Sequence, residues 1–316
     1  MHKLIILRDI GDEYTDEIKK IIPDWEIAFA VGDNEGIPLR DAEILLGWNK
    51  HTAEQCLYDG TPLKWVQTWS AGVNDMPFEA FKKYDIILTN ASGVHSVPIS
   101  ETLIGMMLAF ARKINTYIRN QMSKKWDRSS NTDELFDKTA GILGVGAIGL
   151  EVARLAKALG MRTLGFRYSG KPADYVDEMY GPSNLEELLK KSDYVINVLP
   201  LTNDTFHIMN ERRFEIMKPT AYYLNAGRGS THDEKALIKA LKEKWIAGAG
   251  LDVFEQEPLP LESPLWDMDN VIITPHTAGD NGRYVERVMN IFIPNLRAYI
   301  SGSNQFINKI DLDKQY

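Results

Sequence analysis

Apolar residues open this chain in short, nearly unbroken runs: LIIL at 4–7, WEIAFA at 25–30, EILLGW at 43–48, KWVQTW at 64–69 and IILTN at 86–90. Runs this short and this apolar predict β-strands buried on both faces, as in a parallel sheet covered by its connecting helices. Pro98 suits the first turn of a helix, and one long helix is expected from there to about Met122. The polar stretch KKWDRSSNTDELFDKTA at 124–140 reads as a surface connection. A second series begins at Gly141, where GILGVG predicts a strand running into a tight turn. In GLEVARLAKALG, Val152, Leu155, Ala156 and Leu159 share one helical face, and Gly160 is placed to end the helix. RTLGF at 162–166, YVINVL at 194–199, AYYLN at 221–225, AGAGLDV at 247–253 and VIITP at 271–275 continue as strands. The segment 280–300 is helix-like up to Pro294. The expected class is α/β, with doubly wound parallel sheets and helices on both faces.

Composition narrows the function more than the fold. A length of 316 residues suits two domains, and 44% hydrophobic with 25% charged residues is ordinary for a soluble globular protein. The net charge of −8 argues against a nucleic-acid partner, which usually leaves a basic surplus. Cys56 is the one cysteine, so neither an intramolecular disulfide nor a thiolate metal cluster can form. The N-terminus MHKLIILRDIGDEY reads as a first strand, too soon charged for a signal peptide. Ile99–Phe110 contains Glu101 and is too short to span a bilayer. A cytoplasmic protein without a membrane segment is expected. No H-E-x-x-H or similar spacing predicts a metal.

Gly144, Gly146 and Gly149 form G-x-G-x-x-G between an expected strand and an amphipathic helix. In that context the first glycine permits the turn, the second lets a pyrophosphate approach the backbone, and the third allows close helix–strand packing. A purely structural strand–helix turn is the bland alternative. The next strand ends in GFRYSGKP at 165–172, with Arg167 and then Ser169 where an NAD-binding fold usually carries an acid. A carboxylate would repel the 2′-phosphate of NADP and a guanidinium can pair with it, so NADP(H) is favoured over NAD(H). An exposed Arg167, or one stacked on adenine in an NAD enzyme, stays open.

Arg228 in NAGRG, Glu257 in VFEQEP and His276 in TPHTAG each follow an expected strand of the second series. The carboxyl ends of such strands line one crevice. There a cation can orient an acidic substrate and an imidazole beside a carboxylate can move a proton. Taken singly, each residue is more often structural or surface. His51, His95, His207 and His232 lack an acidic partner at a comparable strand end and read as structural or surface.

The chain resembles the D-specific 2-hydroxyacid dehydrogenase family over nearly its whole length. The resemblance rests on TWSAGVN (68–74), TNASGV (89–94), KTAGILGVGAIG (138–149), VLPLTNDT (198–205), LNAGRGS (224–230), GLDVFEQEP (250–258) and NVIITPHTAG (270–279). It implies a Rossmann cofactor domain, 98–279, inserted in a flavodoxin-like substrate domain, 1–97, to which a C-terminal helix in 280–316 returns. It implies His276 as general acid/base, Glu257 as its orienting partner and Arg228 as the binder of substrate carboxylate and carbonyl. The loop Ser70, Ala71, Gly72 and Val73 would present N–H groups to that carboxylate. Ala147 and Ile148 would lie over the pyrophosphate, and Leu199, Pro200 and Thr205 would line the adenosine side. Ala226, Gly227 and Asp252 would approach the nicotinamide ribose and amide, with Ile99 near the ring. Trp48 and Trp69 would shape a side-chain pocket or pack in the core. The sequence departs from the family in ISET at 99–102, in Asn197 and in Arg167. The connections near 95–100 and 278–290 would act as hinges, and family analogy implies a homodimer.

The expected reaction is NADPH-linked reduction of a small 2-keto acid to a D-2-hydroxy acid. A phosphoglycerate dehydrogenase-like enzyme and an NAD(H)-sensing corepressor-like protein are the alternatives.

Overall fold

A computed structural model describes residues 2–31, 38–73, 75–128 and 131–313. Asn74 of the TWSAGVN segment, Ser129 and Ser130 of the polar connection and Lys314–Tyr316 lie outside the described residues. The chain divides into two compact units, residues 1–94 with 281–316, and residues 95–280.

Among the described residues, the first unit holds five parallel strands: β1 (Lys3–Ile6), β2 (Glu26–Phe29), β3 (Ile44–Leu46), β4 (Trp65–Gln67) and β5 (Ile87–Thr89). Their order is β2-β1-β3-β4-β5. Strand alternation explains the unbroken apolar runs. Leu4, Ile6, Ile44 and Leu46 face one cluster, and Ile5, Leu45 and Val66 face another on the opposite side. The first cluster is completed by the helix Tyr284–Ile300, whose Phe292 ring stacks on Trp65 at 5.1 Å. That helix continues through Pro294, contrary to the expected stop. Pro294 is exposed, while Phe292, Asn295 and Leu296 are buried around it. Asn295 further ties the helix to Ile307, donating to its carbonyl at 3.0 Å and accepting its N–H at 2.7 Å. This packing outweighs the one backbone bond that the ring removes.

The described residues of the second unit form seven parallel strands: β6 (Thr139–Leu143), β7 (Arg162–Phe166), β8 (Glu178–Tyr180), β9 (Tyr194–Asn197), β10 (Tyr222–Asn225), β11 (Gly248–Leu251) and β12 (Val271–Ile273). Their order is β12-β11-β10-β9-β6-β7-β8, so the winding reverses between β6 and β9. Ligands of open α/β sheets bind beyond the carboxyl ends of strands at such a reversal. The edge strand β8 was not expected from the sequence. The single helix expected from Pro98 to Met122 is two helices, Ser96–Ala111 and Ile114–Met122, broken where Lys113 takes a left-handed φ of 57°. The first is apolar nearly all round because it is buried among the sheet and the helix Ala147–Ala158. The second buries no residue. The ends of the unit meet at His95, whose Nδ1 lies 3.1 Å from the carbonyl of Gly279. No helix among the described residues is long and apolar enough to cross a membrane.

Candidate active site

The glycine turn sits at the carboxyl end of β6, at the reversal of winding. Gly144 has a φ of 101°, and a Cβ there would lie 3.1 Å from the carbonyl carbon of Val198 in the loop after β9. Gly149 is the tightest approach: its Cβ would lie 2.1 Å from the carbonyl oxygen of Gly144. Gly146 by contrast faces open space, and Gly146 and Ala147 are exposed. The helix Ala147–Ala158 begins here, offering unpaired N–H groups and a partial positive charge. A crowded turn with one open backbone face is the shape that a dinucleotide pyrophosphate requires. Half-buried Ile148 and Ile99 pack against the cluster that also contains Val145, Ala226 and Ala278.

The neighbouring loops are shaped by their own hydrogen bonds. Thr205 closes the 200–205 turn, donating to the Pro200 carbonyl at 2.6 Å and accepting the Thr202 N–H at 2.7 Å. Leu199 is buried and Pro200 exposed. Arg167 is half-buried after β7, and its guanidinium donates to the carbonyls of Lys171 (2.8 Å) and Pro172. These bonds curl the exposed 168–170 stretch, Ser169 included, around the arginine. They leave donors of the guanidinium uncommitted, since it carries five N–H groups.

Three further loops carry Arg228, Glu257 and His276, after β10, β11 and β12 in turn. His276 Nδ1 lies 2.7 Å from Glu257 Oε2, while Glu257 Oε1 accepts the N–H of Phe254 at 3.0 Å. Burial works to raise the Glu257 carboxyl. The His276 hydrogen bond, the Phe254 N–H and the charges of His276 and Arg228 outweigh it, holding the carboxyl below its usual range. Glu257 is therefore a carboxylate at neutral pH. With one ring nitrogen of His276 occupied, Nε2 is the nitrogen left to exchange a proton with a ligand.

The backbone of His276 is held just as firmly, in the left-handed region at φ 54°. Its N–H donates to the carbonyl of Asp252 at 2.9 Å. The buried Asp252 carboxylate accepts from Thr274 Oγ1 (2.6 Å), Thr277 N (2.9 Å) and Ala278 N (3.1 Å). Asp252 thus fixes the turn that carries the imidazole. Arg228 is exposed, and Nη1 donates to the Gly227 carbonyl at 2.8 Å.

In the other unit, the loop Ser70–Val73 follows β4. Its carbonyls are engaged: Ser70 O by Thr68 Oγ1 at 2.8 Å, Ala71 O by Asn90 Nδ2 at 2.6 Å and Gly72 O by Ser70 Oγ at 2.7 Å. Ser70, Ala71 and Gly72 are exposed and Val73 is buried. Trp48 packs edge-on against Phe81 at 5.0 Å, and Trp69 lies beside Tyr284 and the Arg8 guanidinium.

One expectation needs correction. His207 does have an acidic partner, with Nε2 lying 2.7 Å from Glu255 Oε1. His207 belongs to the turn after β9 and Glu255 to the loop after β11, so no sequence spacing joins them. Their contact follows from the bond of His207 N–H to Ser230 O, which brings the turn over the loop after β10. Among the described residues, no group of three or more His, Cys, Asp or Glu side chains is placed to hold a metal ion.

Comparison with known proteins points to one family. Residues 104–278 match the family model described as D-isomer specific 2-hydroxyacid dehydrogenase, NAD binding domain. The chain is 36% identical over 270 residues to a glyoxylate reductase of Thermofilum pendens, covering 83% of this chain and 79% of that one. Among solved structures, a D-isomer specific 2-hydroxyacid dehydrogenase family protein from Aeromonas salmonicida shares 34% identity, with a TM-score of 0.81 and 99% of each chain covered. The NADPH-dependent glyoxylate/hydroxypyruvate reductase of Sinorhizobium meliloti, in complex with NADP and sulfate, is 26% identical, with a TM-score of 0.80 and 100% of each chain covered.

Proposed function

The chain belongs to the D-isomer specific 2-hydroxyacid dehydrogenase family of NAD(P)-dependent oxidoreductases acting on CH–OH donors, and on that premise we propose that it reduces a small 2-keto acid to a D-2-hydroxy acid, preferring NADPH. The observation that carries the proposal is the 2.7 Å pairing of His276 with a Glu257 held ionised beside Arg228. The nicotinamide cofactor supplies the hydride when bound, and the protein supplies the proton and the orientation. His276 Nε2 gives its proton to the carbonyl oxygen as C2 gains hydride, and recovers it from the hydroxyl in the reverse direction. Glu257 keeps the ring in the tautomer and orientation that point Nε2 outward. Arg228 holds the substrate carboxylate and polarises the carbonyl through its planar fork of donors. The N–H groups of Ser70–Val73 are further donors for that carboxylate.

Gly144, Gly146, Ala147, Ile148 and Gly149 would hold the pyrophosphate, with Leu199, Pro200 and Thr205 on the adenosine side. Ala226, Gly227, Asp252 and Ile99 would surround the nicotinamide end. Arg167 and Ser169 would meet the 2′-phosphate, and the NADP complex of the Sinorhizobium relative supports that preference. We place the protein in the cytoplasm and read it as a homodimer. The helix Ile114–Met122 supports pairing, because Ile114, Ile118 and Met122 are exposed on it and Trp126 follows. Light scattering at twice 35.8 kDa is the expected result.

The decisive assay offers glyoxylate, hydroxypyruvate, pyruvate and bulkier 2-keto acids with NADPH and with NADH, followed by chiral analysis of the product. Oxidation of NADPH with formation of the D-hydroxy acid is expected. Tight cofactor binding with no turnover on any of these acids would overturn the reductase in favour of a sensor.

A further inference from the structure

Asn197 and Asn225 stand in register at the carboxyl ends of neighbouring strands β9 and β10, and both are fully buried. Each makes the same local turn. Asn197 Oδ1 accepts the N–H of Leu199 at 3.1 Å, and Asn225 Oδ1 accepts that of Gly227 at 3.0 Å. Because a backbone N–H can only donate, these two bonds fix which end of each amide is oxygen. The NH2 ends must then donate inward.

They converge on one carbonyl. Asn197 Nδ2 donates to Thr231 Oγ1 at 2.8 Å and to Tyr223 Oη at 2.9 Å. Thr231 Oγ1 in turn donates to the carbonyl of Arg228 at 2.6 Å. Asn225 Nδ2 donates to the same carbonyl at 3.1 Å and to His232 Nδ1 at 2.8 Å. The Arg228 carbonyl therefore receives one side-chain hydrogen bond from each asparagine's side of the network, beside that of the Thr231 backbone N–H at 3.2 Å. The Thr231 proton has one available direction, since its oxygen already accepts from Asn197. Arg228 Nη1 donates to the adjoining Gly227 carbonyl, so the direction of the guanidinium follows the backbone that this network holds. Gly227 has little room to move otherwise, as its Cβ would lie 2.6 Å from Leu199 O.

We infer that Thr231, relaying between Asn197 and Asn225, is the positioning residue that sets the direction of Arg228 from behind, through its backbone carbonyl. The inference rests on the reading of Arg228 as the substrate anchor. Thr231 touches no substrate in this reading. A hydroxyl is needed there because the residue must accept and donate at once, which valine of nearly the same shape cannot do.

The test compares wild type with Thr231→Val, Thr231→Ser and Thr163→Val. Thr163 is equally buried but lies in β7, where its hydroxyl donates to Tyr175 O at 2.7 Å, so it controls for loss of an internal hydrogen bond. For Thr231→Val, KM for glyoxylate should rise about 10-fold, with a smaller fall in kcat and a Kd for NADPH within about 3-fold of wild type. Thr231→Ser should return KM to within about 2-fold, and Thr163→Val should leave it unchanged. Amide hydrogen exchange of residues 225–231 should quicken in Thr231→Val and not in Thr231→Ser. An unaltered KM and unaltered exchange in Thr231→Val would overturn the positioning role. Quickened exchange in Thr231→Val, together with a wild type inactive on every 2-keto acid, would leave the network standing and remove the proposed reaction instead. A KM that rises equally in Thr163→Val would reduce Thr231 to general stability.

Discussion

His276 combines two demands that compete at a single residue. Its side chain must reach Glu257, and its backbone sits at φ 54°, a left-handed conformation that costs a non-glycine residue about 1–2 kcal/mol. The surrounding bonds to Asp252 hold it there. Strain that persists under such constraint clusters at functional sites. His276→Ala should lower turnover by roughly 10²–10⁴ while leaving cofactor affinity largely intact, measured by steady-state rates and cofactor titration. Near-normal turnover would remove His276 from the mechanism. At Arg167 the expected change is in preference. Arg167→Asp should lower the ratio of kcat/KM for NADPH over NADH by about 10- to 100-fold. Because its guanidinium also donates to the carbonyls of Lys171 and Pro172, a loosened loop would weaken both cofactors alike. A fall shared equally by both would therefore refute recognition of the 2′-phosphate. The loops that carry the trio and the glycine turn were legible in the sequence because each follows an apolar strand run of the second series, although each residue alone reads more often as structural or surface. The Asn197–Thr231–Asn225 network was not. Asparagine at a strand end reads as an ordinary turn former, and only the parallel register brings its two copies together. The repeated placement, Asn closing both INVL-type and LNAG-type runs, was the available signal.

Between elements, close approach decides more than propensity. Gly149 lies in the first turn of the helix Ala147–Ala158, where alanine would favour the helix by about 1 kcal/mol. An added Cβ would sit 2.1 Å from the Gly144 carbonyl oxygen, which is backbone and cannot swing aside. Separating strand and helix should cost about 1–3 kcal/mol and win. Gly149→Ala should thus lower the unfolding midpoint and weaken NADPH binding, read by urea unfolding and fluorescence titration. A stabilised variant with intact binding would show that the turn has slack. Most strands were legible because a sheet covered on both faces leaves apolar runs. The exceptions have local causes. β8 is an edge strand of EMY, with Glu178 half-exposed, and carries too little apolar signal. The break at Lys113 depends on a backbone turn that lysine does not advertise. Pro294 looks like a stop until the burial of its neighbours is known.

At the scale of the molecule, acid should act through groups buried without charge. His232 is fully buried with Nε2 unpartnered, and burial, helped by the charge of His207 and opposed by that of Asp233, pushes it from 6.5 down to about 3. The unfolded chain takes up a proton there below about 6.5 and the native protein does not until about 3. Native stability therefore rises with pH across that window and falls on acidification, by at most about 1.4 kcal/mol per pH unit for one group. Between pH 7.5 and 5, His232→Met should lose about 2 kcal/mol less stability than wild type in urea unfolding. Parallel losses would mean that other groups set the acid limit. The alternation of two α/β series was legible along the chain, since the polar 124–140 stretch separates them. The tie between His95 and Gly279 has an architectural consequence. A module whose entry and exit share one point interrupts its host at a single place, so the host's strands and closing helix need no path through it. Such a cassette can be lifted out, exchanged or re-cut at another loop without unpicking either sheet.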